Sequence, residues 1–164
     1  MLYSVSYTTR KLRDGEQEGV DYHFIGKNDF ENGIAAGKWA EWALVHGNYY
    51  GTSADFLDKG LADGSDILLD IDVQGTRQIL KRYANSVAIF ILPPSLEVLQ
   101  QRLKARGTDS AESIAVRLKN AEKEMSQQDL YHHLIVNDQL SKAVPELISI
   151  IENYRTTDNP RREG

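Results

Sequence analysis

Cysteine is absent from the 164 residues, which removes disulfides and thiolate-bound zinc and fits a reducing compartment. No apolar run approaches the roughly 20 residues needed to span a bilayer. The opening M-L-Y-S-V-S-Y has neither the basic region nor the apolar stretch of a secretory signal. The chain therefore reads as cytoplasmic, with no membrane partner. Positive charge is also scarce: 19 basic against 24 acidic residues leave a net charge of -5. A broad nucleic-acid footprint, which needs a basic face, is not expected, so any bound anion must be held by a local cluster. One more pattern is missing. No G-x-x-x-x-G-K-[ST] loop occurs, since Gly26-Lys27 and Gly37-Lys38 lack the upstream glycine spacing and the following hydroxyl.

What is present suffices for one globular domain over 1–164, with 41% hydrophobic residues to build its core. The first third is β-rich. Strands are expected at 2–7, 22–25 and 38–46, the last followed by a Gly47-Asn48 turn. A short helix is expected to start at Asn28 or Asp29 and stop near Gly37, and Ser53 to cap another that runs to about Ala62. From Asp66 the pattern changes. The apolar runs at 67–71 and 87–92 read as strands buried on both faces of a parallel sheet. Helical patterns at 74–83, 95–105 and 111–125, a strand at 134–136 and a closing helix at 140–154 complete an α/β alternation. A polar tail follows from Thr156.

Four groups of residues carry chemistry. Arg10 and Arg13 share a loop with Ser6, Thr8, Thr9 and Glu16, a set of donors suited to one phosphate, although an exposed polar loop is the commoner meaning of such a stretch. Asp70 and Asp72 end an apolar strand two residues apart. Alternation would put both on one face at the strand's C-terminal end, where open α/β sheets bind ligands. Gly75 follows and allows a close approach of backbone to something. In Trp39, Glu41 and Trp42 a carboxylate lies between two indoles, and Glu41 is expected to share a face with Trp39, Ala43 and Val45. That carboxylate needs a donor pair, either the N1–H and N2–H₂ edge of guanine or, more commonly, a nearby arginine or lysine. Arg102, Arg106 and Arg117 form a last basic group around the Gly107 break, most simply a solvated face. The histidines His23, His46, His132 and His133 suggest no metal site and read as structural.

Taken in order, S-V-S-Y-T-T-R-K-L-R-D-G-E-Q-E-G-V-D-Y-H-F, A-E-W-A-L-V-H-G-N-Y-Y-G-T, L-L-D-I-D-V-Q-G, F-I-L-P-P-S, R-L-K-A-R-G-T-D-S and L-I-V-N-D strongly resemble the guanylate kinases. The resemblance runs from Leu2 to about Tyr154. It implies a P-loop kinase-type α/β fold: a parallel sheet with helices on both faces, a β-rich GMP-binding region over about 6–62, a core over 63–102 and 134–154, a helical lid over 103–133 and a tail over 155–164. It implies phosphoryl transfer from ATP to GMP with Mg²⁺. Ser6, Arg10, Arg13, Tyr22 and Tyr50 would hold the GMP phosphate, Glu16 would belong to the same GMP site, and Glu41, Thr52 and Asp72 would read guanine. Asp70 would be catalytic, near the magnesium and the transferred phosphoryl group, without being assigned as a direct ligand of the metal. Arg10, Arg102, Arg106 and Arg117 would stabilise the transferring group, and Arg106 and Asn137 would meet ATP.

Members of that family begin with a strand and a glycine-rich Lys-Ser/Thr loop about twenty residues ahead of the position of Ser6. Neither is found in these 164 residues. In the family that strand lies between the one ending at Asp72 and the one at 87–92. The 164 residues alone are therefore expected to be inactive and poorly stable. A GMP-binding or scaffold-type domain without chemistry is the alternative.

Overall fold

In the computed structural model, which describes residues 1–107 and 110–157, the single strand expected over 2–7 divides between two sheets. Leu2 N and Ser4 N donate to Asp66 O and Leu68 O, so β1 (Leu2–Tyr3) pairs in parallel with a later strand, Ile67–Leu68. After Ser4 the chain leaves that ladder, and β2 (Tyr7–Thr8) enters a mixed sheet, in parallel with β3 (His23–Phe24). α1 (Lys27–Ala35) follows. Its N-cap is Gly26, not Asn28 or Asp29; Asp29 instead falls in the first turn, where a carboxylate meets the positive end of the helix.

β4 (Trp39–Val45) and β5 (Asn48–Ser53) form a hairpin whose turn is His46-Gly47. Both residues have positive φ, 50° and 79°, as the type I′ turn matched to strand twist requires. Val45 pairs with Asn48, which moves the turn one residue ahead of the expected Gly47-Asn48. The sheet order is β3-β2-β5-β4.

Between Trp39 and Glu41 the register slips by one residue, and this bulge overturns one expectation. Trp39 does not share the face of Glu41. It stacks on Phe30 at 4.4 Å, Phe30 stacks on Tyr49 at 5.1 Å, and Tyr49 meets the edge of Trp42. An extra residue reverses the alternation of everything before it.

Ser53 accepts from Phe56 N and caps α2 (Ala54–Ala62). β6 (Ile67–Leu68) is shorter than the 67–71 expected, and after four intervening residues α3 (Val73–Arg82) begins, capped by Asp72. Ala40, Ala54, Leu57 and Ile79 form the buried core here. Gln78 on α3 accepts from Trp42 N at 3.2 Å and donates to Trp42 O at 2.7 Å, satisfying the backbone on the open edge of β4 as a neighbouring strand would.

These elements make up one compact unit, Met1–Ser86; Val87–Gly164 is a second. There, β7 (Ile89–Leu92) pairs in parallel with β8 (His133–Val136). Ser95 caps α4 (Leu96–Arg106), which ends at left-handed Gly107, and Ser110 caps α5 (Ala111–Met125). α6 (Leu140–Thr157) runs past 154 and includes the start of the expected tail; residues 158–164 lie outside the described ones. Burial on both faces is not found. Ile135 and Leu92 are buried, but Ile91, Leu134 and Val136 are exposed, as is Leu68 in the first unit. In β8 the buried and exposed side chains alternate, as they do when one face is covered. Among the described residues no helix is long and apolar enough to cross a membrane.

Candidate functional site

A cavity of about 310 Å³ opens in the first unit. Glu41, Ala43 and Val45 of β4 form one wall, and Asp70, Ile71 and Asp72 form another. Ser6, Tyr22 and Tyr50 complete it. The alternation that the bulge denies to Trp39 therefore holds from Glu41 onward.

Glu41 is 4% exposed. Fully buried Thr52 donates its hydroxyl to Oε1 at 2.6 Å. None of the ion pairs among the described residues involves Glu41, so the lysine or arginine that would make it an ordinary buried ion pair is not there. Burial raises its carboxyl from an ordinary 4.5 to about 7; Thr52 opposes this and the charge of Asp72 adds to it. Such a group holds its proton better in the folded chain than in the unfolded one. Its ionisation thus removes stability as pH rises from about 4.5 through about 7, by on the order of 3 kcal/mol in total. Denaturant melts of the ligand-free protein at pH 5 and pH 8, compared with Glu41→Gln, are expected to show the parent losing stability relative to the variant. Parallel curves would remove the assignment.

Asp70 and Asp72 do meet at the cavity, but not by strand alternation, because β6 ends at Leu68. Asp72 is a helix cap: Oδ1 accepts from Gly75 N at 2.8 Å and Oδ2 from Gln74 Nε2 at 3.0 Å. The positive end of α3 thus offsets the repulsion between neighbouring carboxylates. Asp70 is exposed. Its charge adds to burial in raising the phenols of Tyr3 and Tyr22.

Arg10 is already engaged. It binds Glu16 through both terminal nitrogens, at 3.0 and 2.7 Å, and Nη1 also donates to Lys11 O. Its guanidinium lies 5.3 Å from the ring centre of Tyr22 and 5.7 Å from that of Phe24. The Glu16 hydrogen bond raises the Arg10 pKa, and a bond with Tyr50 adds to this. Glu16, which also accepts from Arg13 N, is held below the usual carboxylate range by Arg10 and then by the Arg13 amide. Glu16 therefore holds the Arg10 fork in place. Arg13 is exposed, and Arg10, Arg13, Glu16 and Thr52 are not among the residues that line the cavity.

In the second unit Arg102 donates to Asn137 O at 2.7 Å and Asp138 O at 3.2 Å, while Asn137 N donates to Leu92 O. Arg102 and Asn137 are thus brought together at the end of β8. Arg117 is half-buried on α5, which packs against α4. The side chain of Arg106 and residues 108–109 lie outside the described residues. His132 and His133 are tied to Ala88 N and to the Tyr154 hydroxyl, and His23 to Glu18. What approaches Gly75 is the carboxylate of Glu41, a contact not legible in sequence; the only signal was a glycine inside the first turn of a helix.

A TM-score of 0.81, with 34% identity, relates this fold to the crystal structure of guanylate kinase from Anaplasma phagocytophilum, over 93% of this chain and 74% of that one. The fold is the α/β fold of the P-loop kinases. The guanylate kinase family profile matches residues 1–154. Among curated relatives, the guanylate kinase of Symbiobacterium thermophilum is 48% identical over 159 residues, 96% of this chain and 75% of its own length. That of Geobacter sulfurreducens is 51% identical over 158 residues, 95% of this chain and 78% of its own. The chain belongs to the guanylate kinase family.

Proposed function

We propose that the cavity of the first unit is the acceptor site of an ATP:GMP phosphotransferase, with guanine read by Glu41, Thr52 and Asp72. The observation that carries this is Glu41 itself: a buried carboxylate held by Thr52 alone, through its hydroxyl and its backbone, with no cation, on the wall of an open cavity. No second side chain donates to it, and the N1–H and N2–H₂ edge of guanine supplies a further donor pair. Ser6, Tyr22 and Tyr50 would receive the phosphate together with Arg10 and Arg13, and Glu16 would hold the Arg10 fork in place. Residues 6–62 are the GMP-binding region in this reading, and residues 103–133 the lid.

The reaction is attack of a GMP phosphate oxygen on the γ-phosphorus of ATP. Positioning and neutralisation of charge supply most of the rate. Arg106 and Arg117 are assigned to the transferring group, and Asn137 to the adenine side. Arg102 would act there by holding the Asn137–Asp138 backbone. No group of three or more His, Cys, Asp and Glu residues among the described ones could hold a metal ion alone. Asp70 nevertheless suits Mg²⁺, which takes one or two carboxylates and completes its shell with phosphate oxygens and water. Bound there, the ion would neutralise charge on the phosphates. No G-x-x-x-x-G-K-[ST] loop lies in these residues, so the assignment concentrates on the acceptor side.

The test is equilibrium binding of GMP, with AMP and guanosine in its place as controls. Equal binding of AMP would sink the assignment of the base.

A further inference from the structure

Gly75 is the third residue of α3, a position where glycine weakens a helix relative to alanine and where φ makes no demand for it. The reason for glycine is the carboxylate packed against it. A methyl group there would stand 2.5 Å from Glu41 Oε2, 3.0 Å from Glu41 Cδ and 3.3 Å from Ile71 Cβ, well inside the roughly 3.5–4.0 Å at which carbon packs comfortably.

Neither side can retreat cheaply. The other oxygen of Glu41 is held by Thr52 at 2.6 Å, and Thr52 is fully buried. The helix is held by the paired hydrogen bonds of Gln78 to the backbone of Trp42, the residue next to Glu41, and by the Asp72 cap.

We propose that Gly75 is a specificity-determining position for the base: its missing side chain leaves the space in which the Glu41 carboxylate keeps its acceptor edge toward the ligand. This rests on reading Glu41 as the guanine acceptor. Gly75 touches no substrate atom and acts through Glu41, which makes it a positioning residue. With alanine at 75 the carboxylate must rotate or withdraw. Both movements cost the two donors of guanine their partner, while adenine, which offers no such donor pair, loses nothing.

The experiment is calorimetric titration of the intact protein and of Gly75→Ala with GMP and with AMP. GMP affinity is expected to fall at least tenfold and AMP affinity to change less than twofold, so that the preference narrows. A merely structural defect would lower both alike, and that result, or no change, overturns the proposal. Glu41→Ala removes the group that collides, so adding Gly75→Ala to it should leave GMP affinity unchanged and should not lower the unfolding temperature, alanine being the better helix former. Should Gly75→Ala fail to fold, recovery of folding in the double variant supports the collision, and continued failure refutes it. Glu41→Gln separates the two readings. If it erodes the GMP preference while Gly75→Ala does not, this inference falls alone; if neither does, the guanine assignment falls with it.

Discussion

Glu41→Gln is expected to remove most of the preference of this protein for GMP over AMP, a loss of roughly 1–3 kcal/mol, or about five- to 150-fold in relative affinity. The carboxylate is 4% exposed and has only the Thr52 hydroxyl as a side-chain donor. Guanine brings two donors to it, N1–H and N2–H₂. Adenine brings an acceptor at N1 and would leave the charge buried and unpaired. Glutamine keeps the size and the bond from Thr52 but places an amide donor where an acceptor is needed. Calorimetry with both nucleotides on parent and variant measures the ratio. Equal affinities of the parent protein for GMP and AMP would count decisively against Glu41 as the reader of the base.

Arg10→Ala should weaken GMP far more than guanosine, because only the nucleotide carries the charge the guanidinium neutralises. Charge-assisted hydrogen bonds contribute about 1.5–3 kcal/mol, so a ten- to hundredfold loss for GMP alone is expected. The pairing with Glu16 adds a control. Two nitrogens of Arg10 are held at 3.0 and 2.7 Å by that carboxylate, so Glu16→Gln frees the cation without removing it. It should cost GMP binding less than Arg10→Ala does. Arg10→Lys restores charge without the planar fork and is expected to rescue only in part. If Arg10→Ala weakens GMP and guanosine by one common factor, the residue supports the loop through Glu16 and does not hold phosphate.

Much of the local structure was legible because short-range chemistry decides it. Ser53 and Ser110 announced the helices they cap, since a hydroxyl just ahead of a helical pattern meets the free amides of its first turn. The hairpin could be placed but not its register. Gly47 signalled a turn, yet cross-strand pairing of Val45 with Asn48 put His46 into the positive-φ position ahead of it. Asp72 looked like a strand residue because L-L-D-I-D alternates. Only the early start of α3 made it a cap.

By itself, then, the amino-acid order determined the family, the α/β alternation and the residue types able to meet a nucleotide, all of which depend on neighbours in the chain. What it could not determine is which side chains finish in contact. The bulge before Glu41 turned Trp39 onto Phe30 and away from the cavity. Contacts of 6 to 36 residues' separation paired Arg10 with Glu16, left Glu41 with Thr52 and no cation, and tied Arg102 to the backbone after β8. Burial and partner choice are properties of the assembled fold, because a carboxylate acquires its raised pKa and its need for a donor only once strands and helices distant in the chain have closed water out around it.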